Sequence, residues 1–261
     1  MAKEHTRQRT RIFSILISSC LAILVLSLGL FAALENAGKA GHTSVPSSGT
    51  TSANMATSTL QTPVQPLFFD NFADTSKGWY LGDFGGYTRT IHNNMLTLAD
   101  SNHQVLTESL PTTTSFDDFA LTVTFTLLEA TPDDSVGIYL RGDSYLDHDY
   151  RLDFFDNNTY AVSKEFLDKD KVPAATFLLR PTATPFLHPS GQRNTITVMM
   201  KAAKLVLMIN NEVVNSVIDM DYRSGQIALF VKNAATSNRV RASFSNIVIY
   251  PAPETLPKVL S

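Results

Sequence analysis

Two neighbouring stretches of alternating sequence, joined by a loop at residues 142–148, hold the side chains best suited to bind a ligand. In each stretch apolar residues occupy every second position, so they would face a core while the residues between them face outward. The outward residues are Tyr139 and Arg141 in the first stretch, and Arg151 and Asp153 in the second. A hairpin would bring these four side chains onto one surface.

An aromatic ring, guanidinium groups and a carboxylate on one surface suit the binding of a sugar. Aromatic faces stack on pyranose rings, and Arg and Asp side chains bind hydroxyl groups in a forked geometry. Lys164 or Glu165 on the following strand joins this surface, depending on the register of that strand. The alternative is a cross-strand ion-pair lattice that only covers the sheet.

Sequence motifs of several common catalytic machineries are absent from the chain. It contains no Gly-x-Ser-x-Gly elbow, no His-Glu-x-x-His metal motif and no phosphate-binding loop. The glutamates are isolated from one another, and His92, His103, His148 and His188 fall in different predicted loops. The sequence therefore favours a protein that is not an enzyme.

Carboxylate and amide side chains form two clusters that suit a structural calcium ion, which takes about six to eight oxygen ligands. One cluster contains Asp70, Asn71 and Asp74. The other consists of Asp143, Asp147, His148, Asp149 and Asp153, and it does not follow the EF-hand spacing. The alternative for both is turn chemistry, in which Asp and Asn cap their own backbone. We therefore predict no cofactor, with structural calcium as the alternative.

Period-two alternation recurs along residues 67–250 and predicts an all-β domain. In residues 119–127 the apolar side chains fall on the odd positions, and threonines fill most of the even ones. About a dozen strands in one domain would split into two packed layers, so we expect a two-sheet jelly-roll sandwich. The Asn-Asn pair at 210–211 favours a tight turn. The alternation slips at 245–246, which predicts a β-bulge.

The residues before and after this domain divide into four segments. Residues 12–34 form an uncharged apolar run, which at about 1.5 Å per residue is long enough to cross a bilayer core of roughly 30 Å as a helix. Four basic side chains precede it, so the positive-inside rule places residues 1–11 in the cytoplasm and the domain outside. Residues 35–66 are a Ser/Thr/Pro-rich linker, and residues 251–261 are a C-terminal tail. We predict a single-pass protein of the cell membrane.

Two alternatives to a transmembrane anchor follow from the same segment. A cleaved signal peptide would use the small residues at 38–40, although its apolar region is usually shorter than this run. Lipidation of Cys20 would use the weak lipobox at 17–20, although a further apolar stretch follows it.

Composition and charge exclude several classes of protein. The chain has 21 Lys and Arg against 24 Asp and Glu, a net charge of −3. Because the first 34 residues carry four basic side chains and one acidic one, the remainder has a net charge of −6, which argues against a nucleic-acid partner. A single cysteine excludes a disulfide framework within the chain and a cysteine-cluster zinc site. A cysteine-free outer domain fits a bacterial surface.

Several short motifs follow one another along residues 67–250. They run from Phe69-Asp70-Asn71-Phe72-Ala73-Asp74 and Gly78-Trp79, through Phe116-Asp117-Asp118-Phe119 and Gly137-Ile138-Tyr139-Leu140-Arg141, to Phe244-Ser245-Asn246-Ile247-Val248-Ile249. Their order resembles the 3-keto-disaccharide hydrolase-type domain, a concanavalin-like jelly roll near the laminin-G and glycoside-hydrolase family 16 sandwiches. The resemblance implies the jelly-roll fold, and it implies a concave face of the kind that commonly receives sugar.

Three functions follow from the residues and the resemblance together. The first is a membrane-anchored, extracytoplasmic module that binds glycan without catalysis. The second is a glycoside-active hydrolase of the keto-disaccharide type, using scattered acids such as Asp153 and Glu165. Related retaining glycosidases place two carboxylates on one strand as Glu-x-Asp-x-x-Glu, and the absence of such a run opposes this alternative. The third is a structural or protein-interaction ectodomain.

Overall fold

The computed structural model describes residues 64–259. The predicted cytoplasmic tail, apolar run and nearly all of the linker lie outside the described residues. Within residues 64–259, no helix is long and apolar enough to cross a membrane. The predicted membrane anchor therefore stays a prediction.

The described residues fold into β-strands and the turns that connect them. Fifteen strands occur between residues 64 and 259: β1 (Phe68–Asp70), β2 (Gly82–Asp83), β3 (Tyr87–His92), β4 (Met95–Asp100), β5 (Val105–Ser109), β6 (Phe119–Glu129), β7 (Ser135–Gly142), β8 (Asp149–Phe155), β9 (Thr159–Leu167), β10 (Pro173–Ala183), β11 (Arg193–Lys201), β12 (Lys204–Ile209), β13 (Glu212–Ile218), β14 (Gln226–Lys232) and β15 (Val240–Pro251).

The strands form two antiparallel sheets. The nine-stranded sheet has the order β13-β12-β11-β6-β15-β4-β3-β2, and β1 pairs with β15. The six-stranded sheet has the order β10-β9-β8-β7-β14-β5. The prediction of an all-β, two-sheet jelly roll is confirmed.

The core lies between the two sheets, as the alternation of the sequence predicts. In β6 the side chains of Phe119, Leu121 and Val123 are fully buried, whereas the intervening Thr122 and Thr124 are only partly buried. In β8 the side chain of Leu152 faces the core, because every second side chain of a strand points to the same face of its sheet, although the residues on the other face of β8 are also buried. Each sheet therefore has one face in the core and one outer face.

The aspartate of the first motif anchors the buried tryptophan. Asp70 accepts hydrogen bonds from the backbone N–H of Phe72 and from Nε1 of Trp79, both at 2.7 Å. Asn71 and Asp74 accept from backbone groups two residues further on. This first acidic cluster thus shows the turn chemistry that was the alternative to calcium, and calcium binding stays a prediction.

The long strand β15 has a discontinuity on one side. It pairs along its length with β6, but on its other side it pairs first with β4, as far as Phe244, and then with β1, from Ile247 onward. Residues 245–246 lie at the seam between those two partners, and the register with β6 shifts there. The predicted bulge is confirmed, because an extra residue is needed where the strand changes partner.

Candidate functional site

The hairpin of β7 and β8 places three of the four predicted ligand-binding residues together. Tyr139 lies opposite Arg151, and Gly137 lies opposite Asp153. Because Ile138 and Leu152 face the core, these residues occupy the outer face of the six-stranded sheet. Tyr139, Arg151 and Asp153 therefore share one surface, as predicted.

Arg151 is the centre of a hydrogen-bonded network on this outer face. Its Nε and Nη2 donate to the two carboxylate oxygens of Asp153 at 2.9 and 2.8 Å. Its Nη1 donates to the Tyr139 hydroxyl at 3.2 Å and to Oε1 of Glu165 at 3.1 Å. Ser135 donates to Asp153 at 2.7 Å. A fork with this many partners is held in one orientation.

Aromatic rings support the guanidinium group from below. Its central carbon lies 4.4 Å from the ring centroid of Phe230 and 5.6 Å from that of Tyr139, which are cation–π distances. The Phe230 ring covers Gly137 so closely that a Cβ on that glycine would lie 2.3 Å from it. Glycine at 137 is therefore required for the ring to sit beneath Arg151. Burial raises the pKa of the Tyr139 phenol, which stays a neutral hydroxyl.

The prediction that Arg141 shares this surface is wrong. Arg141 has a φ of +51°, and the register between β7 and β14 shifts beside it, so the alternation of β7 is broken at this residue. Its guanidinium is buried, and it donates to the backbone oxygens of Asp117, Ala202 and Tyr222. Arg141 thus ties loops together instead of facing the outer surface.

The register of β9 decides which of its residues joins the network. Glu165 does, through Arg151, whereas Lys164 points the other way and forms ion pairs with Asp219 and Asp221. The side chain of Glu165 is 26% exposed against 10% for Arg151, so it is the more accessible of the two. Its second oxygen, Oε2, makes no hydrogen bond within residues 64–259.

Asp149 is a component of this face that the sequence analysis assigned only to the acidic cluster. It lies opposite Glu165 in the sheet and is fully buried. Neither of its carboxylate oxygens has a hydrogen-bond partner in the described part of the chain. Burial, followed by the nearby charge of Glu165, raises the pKa of Asp149 to about 8, although Arg151 opposes the shift. The carboxyl group is therefore mostly protonated at neutral pH.

The loop between β7 and β8 is built on the first residue of the second acidic cluster. Asp143 accepts hydrogen bonds from the backbone of Tyr145 and Asp147 and interacts with Nδ1 of His148 at 3.0 Å. Leu146 of this loop packs against the small apolar cluster that contains Tyr139. Within residues 64–259, no group of three or more His, Cys, Asp or Glu side chains is arranged to hold a metal ion.

A family model for the 3-keto-alpha-glucoside-1,2-lyase-like domain matches residues 64–250. The chain belongs to this family. No curated protein sequence matches the chain.

Solved structures with the same fold include a carbohydrate-binding module and a glycoside hydrolase. A carbohydrate-binding module of family 66 from Bacillus subtilis is 16% identical, with a TM-score of 0.51, over 66% of this chain and 95% of that one. A Bacillus subtilis protein of unknown function with a galectin-like fold is 14% identical, with a TM-score of 0.55, over 73% and 97%. A glycoside hydrolase family 16 endo-glucanase from Bacteroides ovatus is 10% identical, with a TM-score of 0.53, over 70% and 99%. At these identities the similarity shows the fold alone.

In this 3-keto-alpha-glucoside-1,2-lyase-like domain, three residues of the sequence motifs stabilise the described structure. Gly137 makes room for Phe230, Arg141 ties loops together and Asp70 holds Trp79. These three motif residues therefore support the fold.

Proposed function

We propose that this family member is a glycan-binding module whose site is the outer face of the six-stranded sheet, at Tyr139, Arg151, Asp153, Glu165 and Asp149. The observation that carries the proposal is the Arg151 network, which is rigid and yet leaves acceptors unused at its border. Sugar hydroxyls are bound by planar polar groups fixed in advance, because an ordered site loses little entropy on binding.

The unused polar capacity lies on the two carboxyl groups beside Arg151. Oε2 of Glu165 and both oxygens of Asp149 have no hydrogen-bond partner within residues 64–259. Because its raised pKa keeps Asp149 protonated, this group both donates and accepts, as a sugar hydroxyl requires of its neighbour. Leu146 and Asp149 both lie against Gly142, so the loop between β7 and β8 borders this carboxyl group.

A second candidate function, a glycoside-active enzyme, is favoured by the pairing of Asp149 with Glu165. Directly opposed residues of antiparallel strands have Cβ atoms about 5 Å apart. One carboxyl is protonated and the other is held beside a guanidinium, and such a difference in protonation is what acid–base catalysis needs. Of the two acids that the sequence suggested, Glu165 belongs to this pair, whereas Asp153 is occupied by Arg151 and Ser135.

We further propose that the domain is displayed outside the cytoplasm. The apolar run at residues 12–34, with basic residues before it, supports a single-pass anchor with the domain on the far side of the membrane. Protease treatment of intact cells tests this, because a domain outside the membrane is digested and a cytoplasmic one is protected.

The test of glycan binding is an array screen on the purified full-length chain in detergent. Glu165→Ala is compared with Glu212→Ala, because Glu212 is an exposed glutamate on the other sheet. We expect binding to a glycan that weakens at least about tenfold in Glu165→Ala and is unchanged in Glu212→Ala. Equal binding by both variants would reject this site, and the absence of any binding would reject the function. Turnover of a bound glycoside that is lost in Asp149→Asn would favour the enzyme.

A further inference from the structure

A shallow depression of about 540 Å³ lies on the outer face of the nine-stranded sheet, on the opposite side of the sandwich from the Arg151 network. It is lined by Asn93, Asn94, Met95, Thr124, Arg193, Thr195, Ser245 and Asn246. This volume falls within the range of small-ligand pockets, roughly 300–1,000 Å³. We name it the seam depression.

The topology explains why the sheet is hollow at this point. Residues 245–246 lie where β15 has finished pairing with β4 and has not yet begun to pair with β1. The bulge there turns Asn246 toward the same outer face as Thr124, its partner on β6. The turn at Asn93 and Asn94, both with positive φ, forms one wall.

Seven of the eight lining residues are polar. Within residues 64–259, the side chains of Asn93, Asn94, Asn246 and Arg193 form no hydrogen bond or ion pair. Thr124 and Thr195 bond to each other at 3.1 Å, which fixes the floor of the depression and leaves each hydroxyl further capacity. Asparagine amides without partners, together with threonine hydroxyls that can each form further hydrogen bonds, match the donors and acceptors of a polyhydroxylated ring.

The charge of the seam depression narrows the class of ligand. Among its eight lining residues, Arg193 is the only charged one. An unpaired guanidinium binds carboxylate or sulfate in a forked geometry. Met95 offers the one apolar contact, which suits the face of a sugar ring.

We propose that the seam depression is a binding site for an acidic saccharide, with Arg193 on the anionic group and Asn246, Asn94 and the two threonines on hydroxyls. The site is separate from the Arg151 network and does not depend on the function proposed for that network. A chain with both sites would hold a glycan on either face of the sandwich.

Calorimetric titration of the full-length chain in detergent tests this site, with hexagalacturonate as the acidic probe and maltohexaose as the neutral one. Arg193→Gln is compared with Arg239→Gln, because Arg239 is an exposed arginine outside the depression. We expect hexagalacturonate to bind at least tenfold more tightly than maltohexaose, and Arg193→Gln to remove about tenfold of its affinity while Arg239→Gln removes none.

A second variant tests whether the loss of affinity in Arg193→Gln is more than a general effect of charge. Asn246→Ala leaves the charge unchanged and should also weaken hexagalacturonate, by about threefold to tenfold. Equal affinity for both probes, unchanged binding in Arg193→Gln, or no binding of hexagalacturonate by the wild-type chain would each overturn the proposal. Matching melting temperatures for all variants show that folding is not the cause.

Discussion

The two outer faces of the sandwich place an arginine in opposite environments. On the six-stranded sheet, Arg151 is surrounded by partners and is nearly buried. On the nine-stranded sheet, Arg193 is exposed and forms no hydrogen bond or ion pair within the described residues, and its neighbours are neutral. A guanidinium can therefore belong to the framework of a site or remain available to a ligand, and its partners decide which.

The largest expected effect is on stability, when Arg151 loses its partner. Asp153→Ala leaves a nearly buried guanidinium without its bidentate acceptor, and breaking such a pair lowers the free energy of unfolding by about 3–5 kcal/mol. Arg193→Ala removes a side chain with no partner and should change it by less than about 0.5 kcal/mol. Urea unfolding measures both. Equal effects of the two variants would contradict the comparison.

The next effect concerns the pH dependence of stability, through Asp149. Its pKa is about 8 in the folded chain and about 4 when unfolded, so the folded state retains the proton across that window. Stability from this group is therefore present below about pH 4 and is lost as the pH rises toward 8, with a slope of up to about 1.4 kcal/mol per pH unit.

Asp149→Asn removes this titration, because an amide does not ionise between pH 4 and 8. The measurement is the free energy of urea unfolding at several pH values in both chains. We expect the wild type to lose stability more steeply than the variant as the pH rises. Parallel curves would mean that Asp149 is not the buried, partnerless acid that the structure shows.

The smallest expected effect is on the outer face of the nine-stranded sheet. Thr124 and Thr195 form one of two cross-strand hydroxyl pairs on β6 and β11, and the second pair is Thr122 with Thr197. Thr124→Val should lower stability by about 0.5–1.5 kcal/mol, because the Thr195 hydroxyl loses its partner. Thr122→Val is the matched control for stability. Only Thr124→Val should also weaken hexagalacturonate, and an equal loss of affinity in both would remove Thr124 from the seam depression.

Much of this architecture follows from the sequence, because alternation reports which face of a strand is buried. The same rule placed Tyr139, Arg151 and Asp153 together, and its slip at 245–246 marked the bulge. It failed for Arg141, where the backbone departs from the extended conformation just before Gly142. The only sign of this change in the sequence is Gly142, which directly follows Arg141.

The remaining features depend on pairings that no local pattern encodes. Asp149 acquires its raised pKa from burial and from Glu165, which lies sixteen positions further along the chain. The seam depression exists because β4 ends and β1 begins beside the same strand. Strand order and register set both, and these emerge only when distant segments meet.

Carbodiimide footprinting of the carboxyl groups, read by mass spectrometry with and without the glycan selected on the array, shows directly whether glycan covers the outer face of the six-stranded sheet. Glu165 is partly exposed and reports on the Arg151 network, whereas Glu212 lies on the other sheet and serves as the internal reference. If the outer face of the six-stranded sheet binds glycan, Glu165 becomes protected from modification and Glu212 does not. Unchanged modification of Glu165 at a saturating glycan concentration would show that glycan does not bind at this face.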